Sequence, residues 1–284
     1  MKFFTPVEDL SFDQKIKPGQ KIITIGSCFS ESMGERLCHL PLQVMNQPLG
    51  TLFHPNSILE VLKTKSLQEN QCYEVEGQFV HPHFHSQWKS DSKATLIQSI
   101  EAQQQKVSNF LLKADWLIVT FGTAFYYYDQ ILDIEVANCH KQPQKRFIKK
   151  ISTIDEITEK WKHFFATMCV KNSTLNILFT ISPVRHTKDG IQNNQVSKSI
   201  LRLAVEQLTH LFSNAYYFPA YEYVLDELRD YRFFKKDLIH PNDIAEEFIY
   251  EKMKRHLFEE ALLEASIDSE KLEKRNNHRK LNAV

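Results

Sequence analysis

Two short segments of the chain combine residue types that could perform nucleophilic chemistry. The first, Ile25-Gly26-Ser27-Cys28-Phe29-Ser30, directly follows an apolar run and directly precedes a helical pattern. A serine on a strand-to-helix turn projects its hydroxyl from a sheet edge, where the free N–H groups of the helix start can hold an oxyanion. Gly26 would let the backbone make the sharp turn. The bland role for Ser27 or Ser30 is to cap the helix. Cys28 has the type and place of a thiol nucleophile at a helix N-terminus, but such a cysteine more often packs under the turn, and that is the role expected of it. The second segment, Asp237-Leu238-Ile239-His240-Pro241-Asn242, stands just ahead of the last amphipathic stretch. A spacing of three on a helical turn puts both side chains on one side. The carboxylate can then hold one ring nitrogen of His240 while the other nitrogen faces a hydroxyl. The alternative is a surface aspartate and a histidine that happen to precede a helix.

Other polar groups invite the same weighing. His81, His83 and His85 alternate, so on a strand they would share one face and could bind a metal. No acid or cysteine of metal spacing accompanies them, so a polar hairpin face is expected and no metal or other cofactor is assigned. Lys141, Lys145, Arg146, Lys149 and Lys150 form a local basic run, read as a solvated loop. Arg185 and His186 follow an apolar run and Ser182-Pro183, which puts them near a sheet edge where ligands bind.

The elements that must position these residues are legible as apolar periodicity. Lys21–Ile25, Trp116–Phe121, Asn176–Ile181 and Ala215–Phe218 are short and near-continuously apolar, as parallel strands buried on both faces must be, with Gln43–Asn46 a weaker fifth. Between them, helical spacing spans 30–40, 56–65, 94–113, 154–170 and 193–212, and a last stripe begins near Asn242. Alternation of this kind predicts a three-layer, doubly wound α/β fold with a mainly parallel sheet. Two stretches, 72–88 around Gly77 and 124–136 around Asp129-Gln130, read as hairpin insertions. A single domain is expected over 1–268, followed by a charged, frayed tail over 269–284.

Composition bounds the function classes. Lys and Arg total 35 and Asp and Glu total 35, so the chain lacks the basic footprint of a nucleic-acid binder. Hydrophobic residues at 42% and charged residues at 25% are globular values. The charge-free stretch from Leu37 to Leu59 contains three prolines and several polar residues, so it does not read as a membrane span. The five cysteines form no CxxC pair and suit reduced thiols, and no targeting segment is apparent; a cytoplasmic location is expected.

Taken together, the motifs resemble a known family. Ile25-Gly26-Ser27-Cys28-Phe29-Ser30, Pro48-Leu49-Gly50-Thr51, Thr120-Phe121-Gly122-Thr123-Ala124, Ser182-Pro183-Val184-Arg185-His186 and Asp237-x-x-His240-Pro241 occur in the order found in the GSCFA-domain family, which looks like a branch of the SGNH (GDSL-type) hydrolases. The resemblance extends from about Ile22 to Met253. It implies Ser27 as nucleophile, His240 as general base and Asp237 as the carboxylate that orients it. It further implies oxyanion donors at the backbone of Ser27 and Gly50. The asparagine that commonly supplies a third donor is absent, so Thr123, or Asn138 from the second insertion, would take its place. Asn138 and His140 join Arg185 and His186 as substrate contacts. The implied activity is a serine esterase acting on a small-molecule or carbohydrate ester, an O-acetyl sugar by preference. An acyltransferase with the same triad, and a non-catalytic or metal-dependent binding protein built around the histidine hairpin, are the alternatives.

Overall fold

The computed structural model describes residues 5–63 and 66–281. The apolar runs form one five-stranded parallel sheet: β1 (Lys21–Gly26), β2 (Gln43–Asn46), β3 (Trp116–Phe121), β4 (Asn176–Ile181) and β5 (Ala215–Phe218). Their spatial order is 2-1-3-4-5, and every pairing is parallel. The doubly wound α/β class therefore holds. Strand order reverses between β1 and β3, and the crevice at their carboxyl ends is where such sheets hold ligands.

Side chains alternate along each strand, so each face has its own core. Ile23, Ile25, Leu117, Val119, Phe121, Ile177 and Phe179 point to one layer. There they meet α2 (Pro55–Leu62), α3 (Lys93–Leu111), α4 (Ile154–Lys171) and α5 (Ile191–Leu211), through Ile58, Ile100, Trp161 and Leu201. Ile22, Trp116, Ile118, Leu178 and Phe218 face the other layer, formed by α1 (Cys28–Cys38) and α6 (Asp243–Leu257) with a contribution from α7 (Glu260–Leu281).

Helix boundaries follow local chemistry. Thr153 and Glu156 close a full capping box on α4. Asn242 caps α6 by accepting from the Ala245 N–H at 3.1 Å, with Pro241 just outside.

Both insertions are hairpins. The first pairs Tyr73–Val75 with Gln78–Val80 across Glu76-Gly77, both at positive φ. The second pairs Phe125–Asp129 with Ile134–Val136 and gains a third strand, Phe147–Ile151, along its other edge. One detail differs from expectation. His81, His83 and His85 lie beyond the strand, in a turn closed by the Phe84 N–H on the His81 carbonyl at 3.0 Å, so they do not share one strand face. Pro82, with no N–H to give a ladder, ends the strand there. Residues 269–281 lie within α7, with a Lys271–Asp268 ion pair of helical spacing near the start of that stretch, and 282–284 lie outside the described residues.

Candidate active site

The turn after β1 is shaped by close contact between backbones. Gly26 has φ +137°, and a Cβ there would lie 2.2 Å from the Thr120 carbonyl oxygen, so only glycine fits. The Ser27 N–H donates to that same oxygen at 3.1 Å. On the other side, the buried side chain of Gln47 accepts from the Gly26 N–H at 3.2 Å and donates to the carbonyls of Gly26 and Ser27 at 3.0 and 2.8 Å. Ser27 stands at the N-cap position of α1, but its side chain makes no capping bond. Its Oγ is fully buried and has no hydrogen-bond partner among the described residues. Cys28, the first residue of α1, is only partly buried.

The second segment forms a tight loop ahead of α6. Asp237 Oδ1 accepts from the N–H groups of Ile239 and His240 at 2.9 and 3.1 Å, and Oδ2 meets His240 Nδ1 at 2.7 Å. Those backbone donors, with the imidazole, lower the Asp237 pKa to about 2. An ionised carboxylate can only accept, so Nδ1 carries the ring proton and Nε2 is left to accept one. Leu238 closes the loop in the left-handed region at φ 57°. The neighbouring strand-end loop anchors it: the Arg185 N–H donates to the Ile239 carbonyl at 3.1 Å and its guanidinium to the Leu238 carbonyl at 3.4 Å. Arg185 also lies over the rings of Tyr231 and Phe234.

Elbow and loop meet at one cavity of about 290 Å³, lined by Cys28, Phe29, Glu31, Ser32, Glu35, Val184, Lys235, His240, Pro241 and Glu246. Ser27 is not on its wall. The fully buried Lys198 donates to the carbonyls of Gly122 and Ser182, both at 2.7 Å, tying together the ends of β3 and β4. Burial lowers its pKa to about 7. His186 packs edge-on against Phe53 with its Nε2 unpartnered, and burial lowers its pKa to about 3, with smaller contributions from Lys198, Lys149 and His240.

The structure thus brings Asp237, His240, Arg185 and the elbow together. Other anticipated site residues have different work. The Gly50 N–H is spent on the Gln47 carbonyl at 3.0 Å, as the Ser27 N–H is on Thr120, so neither is free for an oxyanion. Thr123 Oγ1 pairs with Ser197 Oγ at 3.1 Å and accepts from the Phe125 N–H, which holds the start of the second insertion. Asn138 Oδ1 accepts from the His140 N–H at 2.8 Å, and His140 Nε2 bonds the His81 carbonyl at 3.0 Å. These two residues join one insertion to the other and do not line the cavity. Gln47 and Lys198 were not singled out from sequence. Gln47 adjoins the Pro48-Leu49-Gly50-Thr51 motif, a positional hint; Lys198 sits in an ordinary helical stretch and offers none.

The architecture and site define an α/β chain with a Gly-Ser-Cys elbow at the topological switch and a histidine–carboxylate loop beside it. The chain belongs to the GSCFA family, whose model matches residues 21–253. Among solved structures it is similar to an acetylxylan esterase from Geobacillus stearothermophilus, in a catalytic mutant, at 10% identity over 87% of this chain and 98% of that one, with a TM-score of 0.44. It is also similar to a carbohydrate esterase family 3 protein from Talaromyces cellulolyticus, at 12% identity over 82% and 94%, with a TM-score of 0.37. No curated protein matches the sequence. Among the described residues, no group of three or more His, Cys, Asp or Glu side chains is placed to hold a metal ion, and no helix is long and apolar enough to cross a membrane.

Proposed function

We propose that the chain is a hydrolase that cleaves an acyl ester through a covalent acyl-enzyme formed on the β1–α1 elbow. The observation that carries this reading is the Asp237–His240 pair, at 2.7 Å, opening onto the cavity that the elbow also lines. Asp237 fixes the tautomer and balances the imidazolium; Nε2 of His240 takes the nucleophile's proton and returns it to the leaving alcohol. Oxyanion stabilisation falls to the first-turn N–H groups of α1 at Cys28 and Phe29, which have no helical carbonyl one turn back. Water then attacks the acyl-enzyme, with His240 again as base.

The cavity wall also favours a kind of alcohol. Glu31, Ser32, Glu35, Lys235 and Glu246 offer polar groups, whereas little apolar surface is present for a long acyl chain. A short acyl group on a hydroxyl-rich alcohol, such as an O-acetylated carbohydrate, is the proposed substrate. The test is steady-state hydrolysis of p-nitrophenyl acetate, butyrate and octanoate, followed by acetylated sugars, with and without an added sugar acceptor. Turnover should fall with acyl length, and His240→Ala should lose about 10²-fold or more in kcat. Equal rates for wild type and His240→Ala would end the reading.

A further inference from the structure

We infer that the attacking atom is Sγ of Cys28, and that the covalent intermediate is a thioester. The inference rests on the acyl-transfer reading and names the nucleophile within it. Ser27 and Cys28 are adjacent, but the turn points them to different places. Gly26 and Ser27 are clamped between Thr120 and Gln47, and Ser27 Oγ is sealed in that clamp with no surface and no partner. An atom so enclosed cannot meet an ester carbonyl without dismantling the turn. Cys28 begins α1 and shares the cavity wall with His240 and Val184. Of the two neighbours, the one that shares a solvent-open wall with the base is therefore the thiol.

The surrounding charges define how that thiol must work. Burial raises the Cys28 pKa; Glu246 and Glu31 add to the rise, and the N–H groups of Phe29 and Cys28 oppose it. At rest the sulfur is a protonated thiol and not a free thiolate. It needs a base at the moment of attack, and His240 is the imidazole on the same wall. As the S–C bond forms, the carbonyl π pair moves to oxygen and the thiol proton passes to His240 Nε2. Collapse breaks the C–O bond, and the departing alkoxide takes that proton as the alcohol. Water then adds to the thioester and gives a proton to His240; the C–S bond breaks, the sulfur recovers the proton, and the carboxylic acid leaves. Two protons move in and two move out, with no further reactant.

Two measurements on the full chain separate this inference from the wider reading. The first is acylation by p-nitrophenyl acetate, quenched early and mapped by peptide mass spectrometry, with cleavage by neutral hydroxylamine to distinguish a thioester from an oxygen ester. The second is alkylation by iodoacetamide, comparing Cys28 with the exposed Cys38 and Cys169, in wild type and His240→Ala. The expected results are an acetyl group on Cys28 that neutral hydroxylamine removes, retained in Ser27→Ala and absent from Cys28→Ala and Cys28→Ser. Cys28 alkylation should also slow by about 10-fold or more in His240→Ala. An acetyl group on Ser27 would overturn the thiol while leaving the esterase. No acetylation, but His240-dependent alkylation of Cys28, would uphold the Cys28–His240 pair and overturn the esterase. Neither modification would overturn both.

Discussion

Asp237 shows how much a single carboxylate can organise. Its two oxygens receive two backbone N–H groups and the imidazole, so it fixes the loop and the tautomer at once. Because its pKa is lowered to about 2, it remains ionised through the mildly acidic range. Loss of activity on acidification therefore reports other groups. Asp237→Asn keeps an acceptor for the backbone but offers an amide that can stabilise the wrong ring tautomer. The expected outcome is a kcat lower by about 10²-fold with the Tm little changed, read from paired kinetics and thermal melts. This pair was legible in the sequence because its spacing is local. The choice between Ser27 and Cys28 was not, since it depends on which of two neighbours a distant carbonyl and a distant glutamine enclose.

At the scale of elements, the elbow is a junction of three strands. β1 supplies the turn, β3 presses Thr120 against Gly26, and the segment after β2 returns Gln47 to pair with both peptide groups. The strands themselves were readable as apolar runs, because a buried parallel strand must be apolar on both sides. Their hydrogen-bond partners were not, because nothing in a run of side-chain types records where a backbone N–H is spent. Gly50 and Ser27 are oxyanion donors by the family resemblance alone, whereas tertiary contacts occupy both N–H groups. Gln47→Ala leaves a buried N–H and two carbonyls without their amide. The expected cost is about 2–4 kcal/mol of unfolding free energy in urea, with slower acylation of the elbow in the folded fraction. An unchanged urea midpoint would show that water replaces the amide.

For the whole molecule, burial of basic side chains sets the pH range of stability. His54, His81 and His186 each have a pKa lowered to about 3, chiefly by burial. Between that value and 6.5 the unfolded chain binds protons that the folded chain refuses, so stability falls as pH drops through this window. Each refused proton contributes a slope of about 1.4 kcal/mol per pH unit, and the three should act together. Lys198, lowered to about 7, extends the same sign upward: stability increases with pH from about 7 toward its ordinary range. Urea midpoints measured from pH 4 to 8 should rise, below the range where the buried thiols, raised by burial, add the opposite sign, and His81→Leu should flatten only the acid part. A midpoint independent of pH below 6.5 would contradict the burial. The distance in sequence between the two halves of the site has a consequence for synthesis. Gln47 lies about 20 residues past Gly26, whereas His240 follows Cys28 by about 200 residues, which a ribosome needs roughly 10–40 s to add. The partners nearest in sequence emerge with the elbow, and the base emerges about 200 residues later. On the reading advanced above, a chain still being made carries a thiol without its proton acceptor, and remains chemically quiet until the segment bearing His240 has left the ribosome.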